Sequence, residues 1–303
     1  MTTRTEIETA YLRIRSDIRR TPLLWLDPSL CLKLESLQRG GSFKSRGAFN
    51  RLRSAGDLAR GVVAASGGNH GVAVALAAQA LGAQADIFVP EISAAAKRAR
   101  IQGFGARLVV GGATYFDALA ASTAHALTTG AVVVHAYDQP EVLAGQGTVA
   151  LEWQQDAPGL THVLVAVGGG GLIGGMAAWY AGQGVQVIAV EPETSCALHA
   201  AMQAGRPVDV PVSGVAADSL GARSVGALMF DIARQHVAQC VLVANDAITA
   251  AQKHLWQTAQ VVAEPGGAAA MAALLSGAWQ PPPGARVGVL VCGANCDPAS
   301  VGG

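Results

Sequence analysis

Charge is scarce in this chain of 303 residues: 14% of the side chains are charged, and Lys plus Arg balance Asp plus Glu at 21 each. With no broad excess of positive charge to attract phosphate backbones or anionic lipid, nucleic acid and membrane are not expected partners. Long apolar runs are missing too. No stretch reaches the roughly 20 uninterrupted apolar residues of a membrane helix, and the start, MTTRTEIETAY, has no apolar core for a secretory signal, so a cytoplasmic protein is expected. The cysteines (Cys31, Cys196, Cys240, Cys292 and Cys296) are odd in number and scattered, with no CxxC pair, which argues against zinc or redox work and for reduced, mostly buried thiols. Lysine is rarest among the chemically useful residues, confined to positions 33, 44, 97 and 253.

What is present is apolar material, 51% of the chain, enough to bury one large core or two modest ones. From Gly61 onward, short β-branched runs alternate with Ala-rich helical stretches: GVVAA then HGVAVALAAQAL, DIFV then AAAKRARIQ, RLVV then FDALAASTAHAL, AVVV then VLAGQGTVALEW. The rhythm predicts βαβ units in a parallel sheet. It resumes with HVLVAV, QVIAV, CVLVA and VGVLV, whose continuous apolar character predicts strands buried on both faces. We therefore expect an α/β fold of two open parallel sheets with flanking helices. Breaks in the rhythm place a small lobe at about 60–138 and a discontinuous large lobe at 1–55 and 140–303, with the cleft between them as the ligand site. No internal repeat is visible, and Pro281-Pro282-Pro283 is the one low-complexity loop.

Four constellations could carry chemistry. Lys97 and Lys253 sit in polar helical surroundings, and the alternation in LCLKLE predicts a solvated strand face for Lys33. Lys44 lies in Gly40-Gly41-Ser42-Phe43-Lys44-Ser45-Arg46-Gly47, where glycines allow close approach and Ser42 can cap the following helix. An amine at a helix start is disfavoured as ammonium by the positive end of the dipole, which suits a Schiff-base nucleophile. A solvated lysine opening a surface helix is the equal and opposite reading. Ser66-Gly67-Gly68-Asn69-His70-Gly71 ends a strand and opens a helix, so its amides and the Ser66 hydroxyl could hold a carboxylate. An ordinary capped turn would look the same.

Gly168, Gly169, Gly170 and Gly171, followed by Leu172, stand between strand HVLVAV and helix GGMAAWYAG, where successive amides can wrap a phosphate. Gly169, Gly171 and Gly174 also satisfy G-x-G-x-x-G, and Glu191 follows at the spacing of a ribose-binding acid, so an NAD-dependent dehydrogenase is a rival reading. Finally Cys292-Gly293-Ala294-Asn295 ends the last strand, where open α/β sheets bind ligands, so its thiol either faces a cofactor ring or is simply buried in a turn.

In their order and spacing SFKSRG, SGGNH, GGGGLIGG, AEPGGAA and CGAN resemble the fold-type II pyridoxal-phosphate (PLP) enzymes, in particular the threonine/serine dehydratase and serine racemase family, from about Thr21 to Asn295. The resemblance implies a cytoplasmic homodimer that binds pyridoxal 5'-phosphate and eliminates water from a small β-hydroxy amino acid to give a 2-oxo acid and ammonia. It implies that Lys44 carries the cofactor, Phe43 packs beside the ring, Asn69 reaches its phenolic oxygen, Gly168 to Leu172 hold its phosphate, Glu264 lies near the ring and Cys292 faces the pyridine nitrogen. A neutral thiol there leaves that nitrogen largely unprotonated and favours elimination. Ser66, Gly67, Gly68, Asn69, His70, His135 and Asp218 are implied on the substrate side, although a cap histidine is an equal reading of His135.

Departures narrow the expectation. Racemases of the family place a serine where this chain has Gly67, so slow or absent racemisation is expected. A divalent cation would need an acid six positions beyond Glu191, where Ala197 stands, so no metal is expected. Ser219 replaces a glycine usual beside Asp218, and the helix TYFDALAASTAHAL lacks the cation a dicarboxylate substrate would want. Threonine, serine and a bulkier acid such as phenylserine all stay open as substrates. The chain ends shortly after CGAN, which predicts no C-terminal regulatory domain and no feedback inhibition by isoleucine.

Overall fold

The computed structural model describes residues 2–93 and 95–301. Among the described residues ten strands form two sheets: β1 (Leu23–Asp27), β2 (Leu30–Leu34), β3 (Val62–Ala65), β4 (Ala85–Val89), β5 (Arg107–Val110), β6 (Val132–Val133), β7 (His162–Ala166), β8 (Gln186–Pro192), β9 (Val237–Val243) and β10 (Val287–Val291). The first sheet has the order β1-β2-β10-β7-β8-β9, and the second the order β5-β4-β3-β6. Among the named strands of the described residues β1–β2 is the antiparallel pair and the other pairings are parallel.

The α-helices of the described residues cover them: α1 (Arg4–Ile14), α2 (Lys44–Ala55), α3 (Asn69–Ala80), α4 (Ala95–Gln102), α5 (Tyr115–Thr129), α6 (Pro140–Asp156), α7 (Gly171–Tyr180), α8 (Ala197–Ala204), α9 (Ala217–Leu220), α10 (Ala227–His236), α11 (Asn245–Ala259) and α12 (Pro265–Leu275). Their ends follow local chemistry. Thr3 with Glu6 and Thr114 with Asp117 close reciprocal capping boxes on α1 and α5. Proline at the first position opens α6 and α12. Among the described residues no helix is long and apolar enough to cross a membrane.

Buried apolar side chains divide between the sheets. One cluster fills both faces of the six-stranded sheet, and a second lies between the four-stranded sheet and the helices α2 and α3. Helix α2 packs on α3 on one side and on α6 on the other, so the residue that opens it stands where the two sheets' helices meet.

Three expectations need correction. CVLVA is fully buried on one face only: Val241 and Val243 are buried, whereas Cys240 and Leu242 on the other face are partly exposed, because β9 is the edge strand of the sheet. AVVV gives a strand of only two residues. Lys33 is not solvated: it is 0% exposed, its Nζ donating to the Thr21 carbonyl at 2.8 Å and pairing with Glu152 at 3.2 Å. The antiparallel β1 lays a further strand against β2, and α6 supplies the counter-charge, so alternation alone misplaced this face.

Around Lys33 lies a closed ionic group. Arg46 Nε and Nη2 donate to Glu35 at 2.8 and 2.7 Å, and Nη1 and Nη2 to Glu152 at 2.9 and 2.8 Å. Glu35 and Arg46 are both 0% exposed. Burial drives the Glu35 carboxyl up, but the Arg46 charge and hydrogen bonds, with Lys33 and Thr21, outweigh it and hold the group below the usual carboxylate range.

Candidate active site

Lys44 is the first residue of α2, and the preceding Phe43 offers no side-chain cap. Ser42, read from the sequence as the cap, instead turns inward: it is 1% exposed, its main chain bridges to Gly293, and its Oγ has no hydrogen-bond partner among the described residues. The Lys44 Nζ donates to the Ala136 carbonyl at 2.7 Å and stands 5.2 Å from the Phe43 ring centroid. Burial lowers this amine from the ordinary lysine range to about 8, against the opposing pull of Cys292 and Glu264.

The amine opens on a cavity of about 470 Å³, part of it open to solvent, lined by Phe43, Asn69, the run Gly168–Leu172, Glu264 and Cys292 among others. Parallel-strand geometry brings these together. Ala166 and Cys292 lie at the carboxyl ends of β7 and β10, and Asn69 follows the carboxyl end of β3 in the other sheet. The glycines are sterically required. Gly170 takes φ +89° in the left-handed region, and a Cβ on Gly169 would stand 2.2 Å from the Tyr137 ring. The first amides of α7 that follow have no acceptor within the helix, so they face the cavity as an anion cradle.

Two titratable groups border the space opposite the lysine. Cys292 Sγ donates to the Gly266 carbonyl at 3.4 Å, and burial, with Glu264 nearby, pushes the thiol well above its usual range, so it is neutral. Glu264 precedes α12 and accepts from Asn69 Nδ2 at 2.6 Å. Burial raises its carboxyl to about 7, opposed by the Asn69 bond and by Lys97 and Arg100.

The remaining predicted residues fall outside that lining. Ser66 Oγ accepts from Gly68 N at 3.1 Å, which leaves its own hydrogen free to donate. A Cβ on Gly67 would meet Ser93 Oγ at 2.7 Å. His70 is buried, bonded through Nε2 to the Val134 carbonyl at 2.9 Å, and burial with nearby Lys44 pushes its ring down to about 3, so it is neutral. The His135 Nδ1 accepts the amides of Tyr137 and Asp138 at 3.2 and 2.8 Å, the cap role weighed for it from the sequence. Asp218 is exposed and pairs with Lys97 at 2.7 Å.

Sequence reasoning missed the Ala136 carbonyl, Leu220 and Tyr137, and quoted Asn295 only as part of a motif. A backbone acceptor carries no side-chain signal, and Leu220 lines the cavity only because α9 folds back over Gly168. The glutamate weighed as a ribose ligand is corrected: Glu191 is 0% exposed, and both its oxygens accept amides of α8, from Leu198 at 2.7 Å and His199 at 2.8 Å. No carboxylate oxygen is left for a sugar, and among the described residues no group of His, Cys, Asp or Glu could hold a metal ion.

An open α/β fold with a half-buried lysine whose amine faces a glycine-walled anion cradle defines a class of enzymes that hold a phosphorylated aldehyde on an amine. The family model described as pyridoxal-phosphate dependent enzyme matches residues 14–293, and the chain belongs to that family, which sets the NAD reading aside. The chain is 35% identical to an L-threonine ammonia-lyase of Thermotoga maritima across 98% of this chain and 76% of that protein. It is 37% identical to a phenylserine dehydratase of Ralstonia pickettii, across 88% and 83%. Maize serine racemase superposes with a TM-score of 0.92 at 31% identity, covering 98% of this chain and 94% of that one. The cavity fits the cofactor: an amine for its aldehyde, glycine amides for its phosphate, the Phe43 ring as a wall, and a neutral thiol on the far side.

Proposed function

We propose that this protein eliminates water from an L-β-hydroxy amino acid of the threonine or serine type, releasing a 2-oxo acid and ammonia. The observation that carries the reading is the Lys44 amine, half-buried and loosened toward its neutral form, facing glycine amides and an uncharged thiol in one cavity. In this reading Lys44 and Phe43, the amides from Gly168, Gly169, Gly170 and Gly171 to Leu172, and Asn69, Glu264 and Cys292 hold pyridoxal 5'-phosphate. Bound there, the cofactor supplies an electron sink for the pair released at the substrate's α-carbon.

The chain's own groups do the rest. Lys44 Nζ, with an amine held at about 8, takes the α-proton as general base. Ser66 Oγ, accepting from Gly68, aims its hydrogen at the substrate carboxylate, and the first amides of α3 (Asn69, His70) add donors. His70, neutral and bonded to Val134, and His135, capping the Tyr137 turn, shape the pocket rather than exchange protons. Cys292, kept neutral, puts no negative charge beside the ring nitrogen, which favours elimination over a long-lived carbanion. Asp218 borders the mouth with Lys97.

The proposal extends to a protein without nucleic-acid or membrane partners, supported by the balanced charge, and takes a cytoplasmic homodimer as the expectation from the family. It also takes 60–138 as a small lobe and 1–55 with 140–303 as the large one, supported by the membership of the two sheets. Because Gly67 offers no exchangeable proton, racemisation is expected to be slow. A bulkier acid such as phenylserine is the second reading, favoured by the Tyr137 ring packed on Gly169 and 4.8 Å edge-on from His135.

The test is a peptide map of the borohydride-reduced holoenzyme, with oxo-acid release from threonine, serine and phenylserine measured side by side. Label on Lys44, lost together with turnover in Lys44→Ala, supports the reading. Label elsewhere refutes it, as does a labelled enzyme inert toward all three acids. Appreciable D-serine formed from L-serine overturns the expectation for Gly67.

A further inference from the structure

Beside the amine runs a chain of three amide and carboxyl groups. Asn295 Nδ2 donates twice, to the Gly40 carbonyl at 2.9 Å and to Asn69 Oδ1 at 2.6 Å. Asn69 Nδ2 in turn donates to Glu264 Oε1 at 2.6 Å. The Glu264 carboxyl lies close against Gly293, where a Cβ would stand 2.0 Å from Oε1.

The direction of this relay is fixed at one end. Gly40 offers a main-chain carbonyl, which only accepts. Asn295 must therefore face it with its NH2, since turning the amide over would set oxygen against oxygen. With both hydrogens of Asn295 committed, Asn69 must present its oxygen to Asn295 and its NH2 to Glu264. Glu264 is then obliged to accept, which a carboxylate does with both oxygens and a carboxylic acid does with less capacity. If Asn69 were free to turn, its oxygen would face Glu264, an arrangement tolerable only with a proton on the carboxyl.

We propose that Asn295 is a positioning residue: anchored on the Gly40 carbonyl, it locks the relay through Asn69 so that Glu264 stays ionised beside the cofactor. The inference rests on the reading that this cavity holds pyridoxal phosphate. Glu264 needs the help, since burial already pulls its carboxyl up to about 7. The other groups facing it divide. Lys97 and Arg100 on α4 and Lys44 on α2 favour the carboxylate, whereas Asp218 on α9 opposes it. Cys292 and Cys296 beyond β10 have thiols pushed up by burial and bring no charge of their own.

The sign follows directly. A hydrogen bond donated to the ionised form lowers a carboxyl's pKa, so losing it raises that pKa. Loss of one such bond is expected to move the Glu264 titration up by about one to two pH units. The experiment compares wild-type holoenzyme with Asn295→Ala and Asn295→Ser by two readouts: the pH midpoint of the bound cofactor's visible absorbance, and the protonated-carboxyl infrared band near neutral pH, assigned with Glu264→Gln. Expected are a raised midpoint and a stronger carboxyl band at neutral pH that persists to higher pH in Asn295→Ala, a smaller rise in Asn295→Ser, which keeps one donor, and a fall in kcat at pH 7 with KM within about twofold. Should Asn295→Ala fail to fold, Asn295→Ser carries the comparison. A midpoint and an infrared band that match wild type overturn the proposal, whatever happens to kcat. A wild-type protein with no visible band would instead sink the cofactor reading, and the infrared band would still report on the relay.

Discussion

Replacing Arg46 with methionine keeps a similar volume and removes the charge from the buried ionic group. Wild type holds two cations, Arg46 and Lys33, against two anions, Glu35 and Glu152, all essentially excluded from solvent. The substitution deletes four charge-assisted bonds to the two glutamates and two further ones, to Thr148 at 3.1 Å and to the Arg19 carbonyl at 3.4 Å. Lys33 reaches Glu152 at 3.2 Å, but Glu35 keeps only one hydrogen bond, from the Thr21 hydroxyl at 2.5 Å, and the weaker pull of the Lys33 charge. Breaking a buried pair from one side costs about 3–5 kcal/mol, a large share of the stability of an ordinary domain, about 5–15 kcal/mol. The loss should depend on pH. With Arg46 gone, burial is the dominant influence on Glu35, so its folded pKa rises above the unfolded value. A group shifted that way contributes stability below its unfolded pKa that is lost as pH rises through the folded one. Urea unfolding of Arg46→Met should therefore show the full deficit at pH 8 and a smaller one near pH 5. The triple variant Arg46→Met, Glu35→Gln, Glu152→Leu, which removes the stranded charges, should recover most of it. A deficit under about 1 kcal/mol, or one that does not vary with pH, would refute the reasoning.

Glu191 is a second pH-linked group: its folded carboxyl sits at about 7, raised chiefly by burial against the pull of the Leu198 and His199 amides. Its contribution is present below about pH 4.5 and fades as pH rises to 7, a span of roughly 3 kcal/mol, so Glu191→Gln should flatten the wild-type stability profile across that window in chemical denaturation. Gly169→Ala should lose cofactor affinity and about 1–3 kcal/mol of stability, because its methyl carbon would stand 2.2 Å from the Tyr137 ring, and Tyr137→Ala should restore part of both in the double variant. If Gly169→Ala alone binds cofactor like wild type, the close approach is not needed. Lys97→Ala breaks an ion pair whose aspartate is 82% exposed, so thermal unfolding should shift by less than about 1 kcal/mol.

The strand-and-helix alternation was legible because parallel strands buried on both faces read as continuous apolar runs, and β7, β8 and β10 behave that way. The glycine runs, SFKSRG and CGAN were legible because each ends a strand or opens a helix at the carboxyl edge, where the cavity forms. What could not be read depended on distant partners. Whether Lys33 meets water or Glu152 is decided by where α6 lands, 119 residues away. The Ser42 hydroxyl failed as a cap because the chain around it pairs with Gly293 from the far end of the sequence. Glu191 could not be told from a ribose ligand by spacing, since the amides that occupy it belong to the next helix rather than to any motif.

The reactivity of Lys44 was first ascribed to the positive end of a helix dipole, and the magnitudes assign that effect a minor part. A charge near a helix end is worth about 0.3–1 kcal/mol, less than one pH unit of displacement. The amine falls from 10.5 to about 8, more than the dipole can supply, and the Ala136 carbonyl and nearby acids pull the other way. Burial must therefore carry the shift, and burial requires that α2 start deep between the two sheets. Residues two apart on a helix point to opposite sides, so the same turn that aims Lys44 into the cavity aims Arg46 into the core. There the guanidinium is gripped by Glu35, next to β2, and by Glu152 on α6. The one motif thus supplies both the reacting nitrogen and the anchor that holds its helix start in place, and a lysine at position 44 without that anchor would sit on a helix end free to move toward water and regain its proton.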